Sequence, residues 1–280
     1  MSSNTIVFKD SAANIIRIKT PVHGYKSSLI FPWEIQELDN GKWESYDPTS
    51  TYDARTCECE FYLDAAEQNT LMNFLGTSTK ARADAAVTMY LSGDQDFRPF
   101  APDKGNAGSF TIGMQLIETL GIGGRPYGLF HTRVLLVNHG AWPSYSAVTD
   151  VDEGSWNFGT VSNVRFPPDW FKPNVFYASS GSMGMDGHLD FVDKSTNADR
   201  YESEFHMVCN QPKAERILAY ITATARAGTF NITTAANHYI FDRDKGTSGT
   251  HTVRLLQNRI EVMHPRYNMF EFDLHLGFEA

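Results

Sequence analysis

The chain repeats itself, and that constrains its fold more than any other feature. Phe100-Ala-Pro-Asp-Lys-Gly-Asn-Ala-Gly-Ser-Phe-Thr-Ile112 matches Phe241-Asp-Arg-Asp-Lys-Gly-Thr-Ser-Gly-Thr-His-Thr-Val253. Phe, Asp-Lys-Gly, the second Gly, Thr and a β-branched apolar residue recur in register. Upstream, Cys57-Glu-Cys-Glu-Phe61 resembles Tyr201-Glu-Ser-Glu-Phe205, and more weakly Leu29-Ile-Phe-Pro32 resembles Val164-Arg-Phe-Pro167. The three anchors keep their order in both halves, and loops absorb small insertions at little cost. An internal repeat of this length implies two copies of one supersecondary unit.

The repeated residues are architectural. Glu-x-Glu-Phe alternates as a half-buried strand does, with both acids on one face. Asp-Lys-Gly-x-x-Gly is turn chemistry, because Asp bonds its own backbone and Gly tolerates positive φ. Phe-Pro marks a strand at a sheet edge. The first copy reads as strands at Asn14–Lys19, Ser27–Glu37 and Thr56–Leu63, then a helix over Asp64–Leu75. Asp64 with Glu67 three residues on is a capping box, and Leu71, Phe74 and Leu75 share a face. Strands follow at Ala86–Leu91, Ser109–Glu118 and Phe130–Asn138. The second copy reads as strands at Val161–Phe166 and Tyr201–Val208, and a helix over Gln211–Ala225 with Pro212 in its first turn. Strands at Thr229–Thr234, His238–Phe241, Thr252–Met263 and Met269–Phe278 complete it. Aromatics and β-branched residues in short runs favour strands throughout.

The expected fold is therefore mainly β: two tandem β-sandwich or half-barrel units, each with one flanking helix. The first spans residues 1–140 with an N-terminal arm over 1–22, a linker spans 141–158, and the second unit spans 159–280. Gly and Ser in Ser179–Gly187 favour a mobile surface loop.

Charge and cysteine usage limit the function. With 24 Lys and Arg against 33 Asp and Glu, the formal net charge is −9. A protein that grips phosphate backbones clusters Lys and Arg instead. Three cysteines, Cys57, Cys59 and Cys209, give no disulfide framework and suit synthesis in a reducing compartment. No signal pattern opens the chain and no apolar run is long enough to span a bilayer, so no membrane association is expected.

Candidate chemistry is sparse. Cys57-x-Cys59 with Cys209 is the sharpest metal candidate, but structural zinc wants two close ligand pairs, and buried small apolar residues are the plainer reading. Nine scattered histidines form no His-Glu-x-x-His pattern, and His206, His251 and His275 sit in strand patterns as structural residues. Gly121–Gly128 lacks the Lys-Ser/Thr of a phosphate loop and reads as a hairpin tip. Asp94, Asp96, Asp150, Asp152 and Glu153 form no calcium loop and read as solvated acids. Trp33, Trp43, Trp142, Trp156 and Trp170 suit sugar stacking, although core packing is the default for tryptophan. No enzyme activity and no cofactor are expected.

The order strands, helix, long hairpin resembles the tail-tube fold of long-tailed bacteriophages. Arg55–Leu63 followed by Asp64–Leu75 looks like the strand-plus-helix segment of distal tail and minor tail proteins, and tandem duplication resembles tail-hub proteins. The resemblance implies a structural virion protein of the tail tip or baseplate, made in the host cytoplasm. It implies self-association, with a homotrimer of pseudo-sixfold symmetry ahead of a homohexamer. Further implied partners are the tail tube and other baseplate or hub proteins, with DNA as a cargo that passes through without sticking. The repeat turns Asp103, Lys104, Gly105, Asp244, Lys245 and Gly246, and the hairpin arginines Arg125 and Arg266, become the expected inter-subunit contacts. The competing expectation is a carbohydrate-binding β-sandwich module or a glycan-acting enzyme of a virion.

Overall fold

The structure is a computed structural model. It describes residues 5–21, 25–31, 34–37, 43–46, 54–77, 87–92, 97–100, 107–122, 128–139, 152–165, 171–176, 179–183, 189–193, 200–225, 228–234, 249–266 and 269–278. Among these residues it is mainly β with two α-helices. Along the chain come β1 (Thr5–Asp10), β2 (Ile15–Lys19), β3 (Tyr25–Ile30), β4 (Glu34–Glu37) and β5 (Trp43–Tyr46). Then β6 (Ala54–Leu63) leads into α1 (Ala65–Thr77), followed by β7 (Val87–Ser92), β8 (Ala107–Ile122) and β9 (Leu129–His139). Next are β10 (Trp156–Phe158), β11 (Val161–Val164), β12 (Phe171–Phe176), β13 (Ser179–Met183), β14 (Leu189–Asp193) and β15 (Arg200–Asn210). Helix α2 (Gln211–Tyr220) continues as a π-helical stretch, Ile221–Ala225, and β16 (Thr229–Thr234), β17 (Gly249–Leu255), β18 (Arg259–Arg266) and β19 (Met269–Phe278) follow.

The chain divides into two compact units, each discontinuous in sequence. Unit 1 holds Met1–Phe31, Thr51–Ser144 and Arg259–Phe270, and unit 2 holds Pro32–Ser50, Tyr145–Asn258 and Glu271–Ala280.

In unit 1 the strand order is β18-β3-β6-β9-β8-β7-β1-β2, antiparallel at every pairing. Alternation decides which face is buried: Cys57, Cys59, Phe61 and Leu63 of β6 point into the core with Val134 and Leu136 of β9. The capping box at Asp64 is complete. Asp64 Oδ1 accepts from the amides of Ala66 (2.9 Å) and Glu67 (2.8 Å), and Glu67 Oε2 accepts from the Asp64 amide at 3.2 Å. Leu71, Phe74 and Leu75 carry α1 into the core, as the sequence pattern requires. Gln68 hydrogen-bonds Thr132 (2.7 Å) and Thr119 (3.3 Å), so these threonines share the helix side of the sheet. The segment expected as an N-terminal arm is integral here: β1 and β2 form a hairpin, and β1 pairs with β7. Its Ile6, Phe8, Ile16 and Ile18 are buried, which an unpacked arm would not achieve.

In unit 2 the order is β11-β10-β16-β17-β19-β15-β12. Hairpins β4–β5 and β13–β14 also belong to this unit. Trp156 stacks near Phe205 (6.1 Å), Phe158 lies 4.8 Å from Phe230, and Ile217, Leu218 and Ile221 of the helical segment are buried. Asn210 caps α2 through the Lys213 amide (3.1 Å), and Pro212 sits in the first turn. Lys213 is buried, and its Nζ donates to the Ser162 carbonyl at 2.6 Å. Gly159 has φ +60° and faces the Tyr220 ring, where a side chain would collide.

Several expectations change. Ser179–Met183, expected within a mobile loop, is strand β13, because Leu189–Asp193 supplies a ladder partner that glycine content does not forbid. Trp156–Phe158, expected in the linker, is β10 and pairs with β11 and β16. The weakest repeat anchor fails: Leu29 and Ile30 lie in β3 beside β6, whereas Val164 ends β11 on a hairpin with β10. Ser27–Glu37 divides into β3 and β4, and Thr252–Met263 breaks at Leu256–Asn258 into β17 and β18. The expected strand at His238–Phe241 lies outside the described residues. Among the described strands, neither ladder closes into a barrel.

Candidate functional site

The site that stands out is a sheet edge in unit 1. Only the first part of β8, Ala107–Ile112, pairs with β7. The remainder, Gly113–Ile122, pairs with β9 on one side and has no second neighbour among the described strands. A bulge between Leu116 and Glu118 places Ile117 as the extra residue and re-aims the strand beyond it. Leu116, Ile117, Leu120 and Ile122 of this strand are exposed, as are Leu129 at the start of β9 and Tyr62 at the end of β6. Half the Leu120 side chain faces solvent. Isolated exposed apolar residues carry no message, but a cluster along an unpaired edge does.

Beside the edge is a groove of about 520 Å³ lined by Met72, Leu75, Gly76, Met114, Gln115 and Leu116. It lies between the C-terminal turn of α1 and the strand.

The sheet face away from α1 is mixed: the exposed Tyr62, Leu120, Ile122 and Leu129 share it with a set of paired charges. Arg133 donates from Nε to Glu58 (2.9 Å) and from Nη1 to Glu118 (3.0 Å), and its Nη2 also meets Glu58. These two acids raise the guanidinium pKa above its ordinary value. His131 Nε2 lies 3.3 Å from Glu60, and its ring stacks on Tyr62 at 4.9 Å. Unit 2 has a face of the same character: His275 Nε2 meets Glu202 at 2.9 Å, His206 Nδ1 meets Asp273 at 2.8 Å, and Lys172 lies 4.0 Å from Glu204. His206 and His275 are thus side-chain partners of carboxylates along strands, while His251 is buried, which lowers its pKa.

The cysteines are core residues. Cys57 and Cys59 point the same way, their sulfurs 3.4 Å apart, and both are fully buried. Burial pushes the Cys59 and Cys209 thiols well above their usual range, as in unreactive core thiols. Among the described residues no group of three or more His, Cys, Asp or Glu side chains is placed to hold a metal. Asp152 accepts from the Asn163 side chain, and Glu153 accepts from the Asn210 amide at 2.8 Å, so both serve local structure. Trp43 and Trp156 are buried, whereas Trp33, Trp142 and Trp170 lie outside the described residues. So do Asp103, Lys104, Gly105, Arg125, Asp244, Lys245, Gly246, Asp94, Asp96 and Asp150. Arg266 ends β18. No helix among the described residues is long and apolar enough to cross a membrane.

Sequence reasoning missed the open edge. The expected strand stopped at Glu118, because the bulge at Ile117 breaks the alternation that would have carried it to Ile122. No family model matches the chain, and no curated protein is significantly similar to it. What the arrangement offers chemically is backbone hydrogen bonding along an apolar edge, beside a face of paired charges.

Proposed function

We propose that the chain is a duplicated, ring-forming structural protein of a phage tail tip, in the manner of distal tail or hub proteins. The ring would continue the tail tube and its DNA channel and anchor neighbouring baseplate proteins.

One observation carries this reading. The order β2-β1-β7-β8-β9-β6-β3 in unit 1 has the same succession of chain ranks as β11-β10-β16-β17-β19-β15-β12 in unit 2. In each, an N-terminal hairpin comes first, a helix follows the long central strand (β6 or β15), and the next strand pairs back onto that hairpin. Details agree as well. Gly108 and Gly249, equivalent in the longest sequence anchor, have φ values of +118° and +127°. Val87 faces Ile112 as Phe230 faces Val253. The two capped helix starts, Asp64 and Asn210, correct the second anchor by two residues, so that Cys59 matches Phe205 while every side chain keeps its face. Two like units per chain suit a ring in which three chains supply six.

The charged rows of these faces fit a channel wall: carboxylates held by a few cations present net negative charge and leave phosphates ungripped, and the exposed apolar side chains beside them in unit 1 offer phosphate no partner. The competing glycan-binding reading needs exposed tryptophans, and the two described tryptophans are buried.

Sedimentation velocity and negative-stain microscopy of the purified chain test the proposal, alone and with the tail tube protein from the same genome. Trimers or hexamers with a central hole are the expected result. A species that stays monomeric at high concentration, and does not cap the tube, overturns it.

A further inference from the structure

We infer that the open edge of β8 is an assembly site for a second copy of this chain, and that the strand it takes is β12. The inference rests on the duplicated-ring reading and adds the pairing and its register.

One strand pairing of this kind is already present within the chain. β18 pairs antiparallel with β3, with Arg259 opposite Ile30, Ile260 opposite Leu29, Glu261 opposite Ser28 and Val262 opposite Ser27. By chain rank, β17 and β18 together correspond to the single long strand β8. The sequence anchor aligns Ile112 with Val253 without gaps, and continuing it brings the bulged Ile117 onto Asn258, at the break between β17 and β18. The ladder supports this alignment: Gly113 and Met114 face Val137 and Leu136, as Arg254 and Leu255 face Gly277 and Leu276. β18 is therefore the counterpart of Glu118–Ile122, the distal part of β8.

β3 likewise has a counterpart. It pairs with β6 as β12 pairs with β15, and aligning the helix caps matches Ser27, opposite Cys57, with Pro173, opposite Ser203. In the structure the counterpart of distal β8 holds the counterpart of β12. Distal β8 and β12 themselves each have one unpaired edge among the described strands.

An edge strand left open with Leu120 and Ile122 exposed is a hazard that proteins normally blunt with charge or proline. On distal β8 the one charge, Glu118, is already bonded to Arg133, and Lys172 and Pro173 of β12 are the only such residues on the other edge, which leaves most main-chain groups of both strands for strand addition, where main-chain hydrogen bonds join two sheets. The contact is heterologous, β8 of one copy to β12 of the next, so it propagates head to tail rather than stopping at a twofold dimer, and the ring of the proposed function is the case in which that rotation closes. Transferring the β18–β3 register places Glu118 opposite Phe176, Thr119 opposite Val175, Leu120 opposite Asn174 and Gly121 opposite Pro173 of the next copy.

Leu120→Cys and Asn174→Cys, made singly and together, test this. The native cysteines are buried, so they compete poorly for oxidation. The double variant should oxidise to a covalent closed oligomer, mixed single variants should give only dimers, and each single variant alone should give none. A second measurement avoids dependence on disulfide geometry: amide exchange at Glu118–Ile122 should slow at least tenfold in the assembled protein relative to dilute chain. Leu120→Lys/Ile122→Lys should abolish assembly while leaving the circular dichroism unchanged. Rings that form without slowed exchange at Glu118–Ile122, or that survive the lysine pair, overturn this interface and leave the ring reading standing. Absence of any self-association, alone or on the tail tube, overturns both.

Discussion

Gly159→Ala is a sharp test of the packing in unit 2. Gly159 has φ +60°, a conformation costing an L-residue about 1 kcal/mol. A methyl group there also enters the space of the Tyr220 ring, approaching its Cζ, Cε1 and hydroxyl. The ring cannot stay where it is. It packs edge-on to Phe158 at 6.0 Å and to Phe230 at 5.8 Å, and each such pair contributes about 1 kcal/mol. Losing the ring's burial adds roughly 1 kcal/mol more, since the side chain is only part-buried. The single substitution should therefore cost about 4 kcal/mol and Tyr220→Ala about 3 kcal/mol. If the collision is the cause, the ring is lost only once in the double variant, which should cost about 4 kcal/mol rather than about 7. Urea unfolding at constant m gives each value. Additivity of the two substitutions to within about 0.5 kcal/mol would refute the argument.

Other outcomes follow from the same structure. Asp64→Ala removes the Oδ1 that accepts both capping hydrogen bonds at the start of α1 and should cost about 1 kcal/mol by urea unfolding, with Asp64→Asn recovering most of it. Burial raises the Tyr25 phenol to about 12, so the folded state disfavours its ionisation. The associated stability is complete below the unfolded value of 10 and is lost as pH rises from there toward 12; a Tyr25→Phe variant should show a shallower alkaline loss of melting temperature. All three cysteines are buried, so thiol reagents should label none in the native protein and all three in denaturant; rapid native labelling of Cys209 would contradict its placement.

The local parts of the fold were legible in the sequence. Helix α1 declares itself through Asp64 and Glu67, and β6 through the alternation ending in Phe61 and Leu63. These signals are short-range and survive any tertiary context. What the sequence concealed is long-range. Nothing near Arg259–Val262 announces that β3, more than two hundred residues earlier, is its ladder partner. β13 was hidden for a different reason: Ser and Gly have weak strand preference, and pairing with β14 overrides it. The candidate edge was hidden by its own bulge, where Ile117 is the extra, unpaired residue and spoils the period-two pattern.

The capture of β18 by unit 1 has a consequence for synthesis. Every other strand of that unit has been synthesised by His139, yet its last strand begins only at Arg259. Through the intervening translation β3 has no cover on one side, and nascent chains on a crowded polysome present that bare flank to one another. Synthesis must pass Arg259–Arg266 before the unit that holds the first strands is finished. A C-terminal truncation before Arg259 would thus damage the beginning of the protein as much as its end.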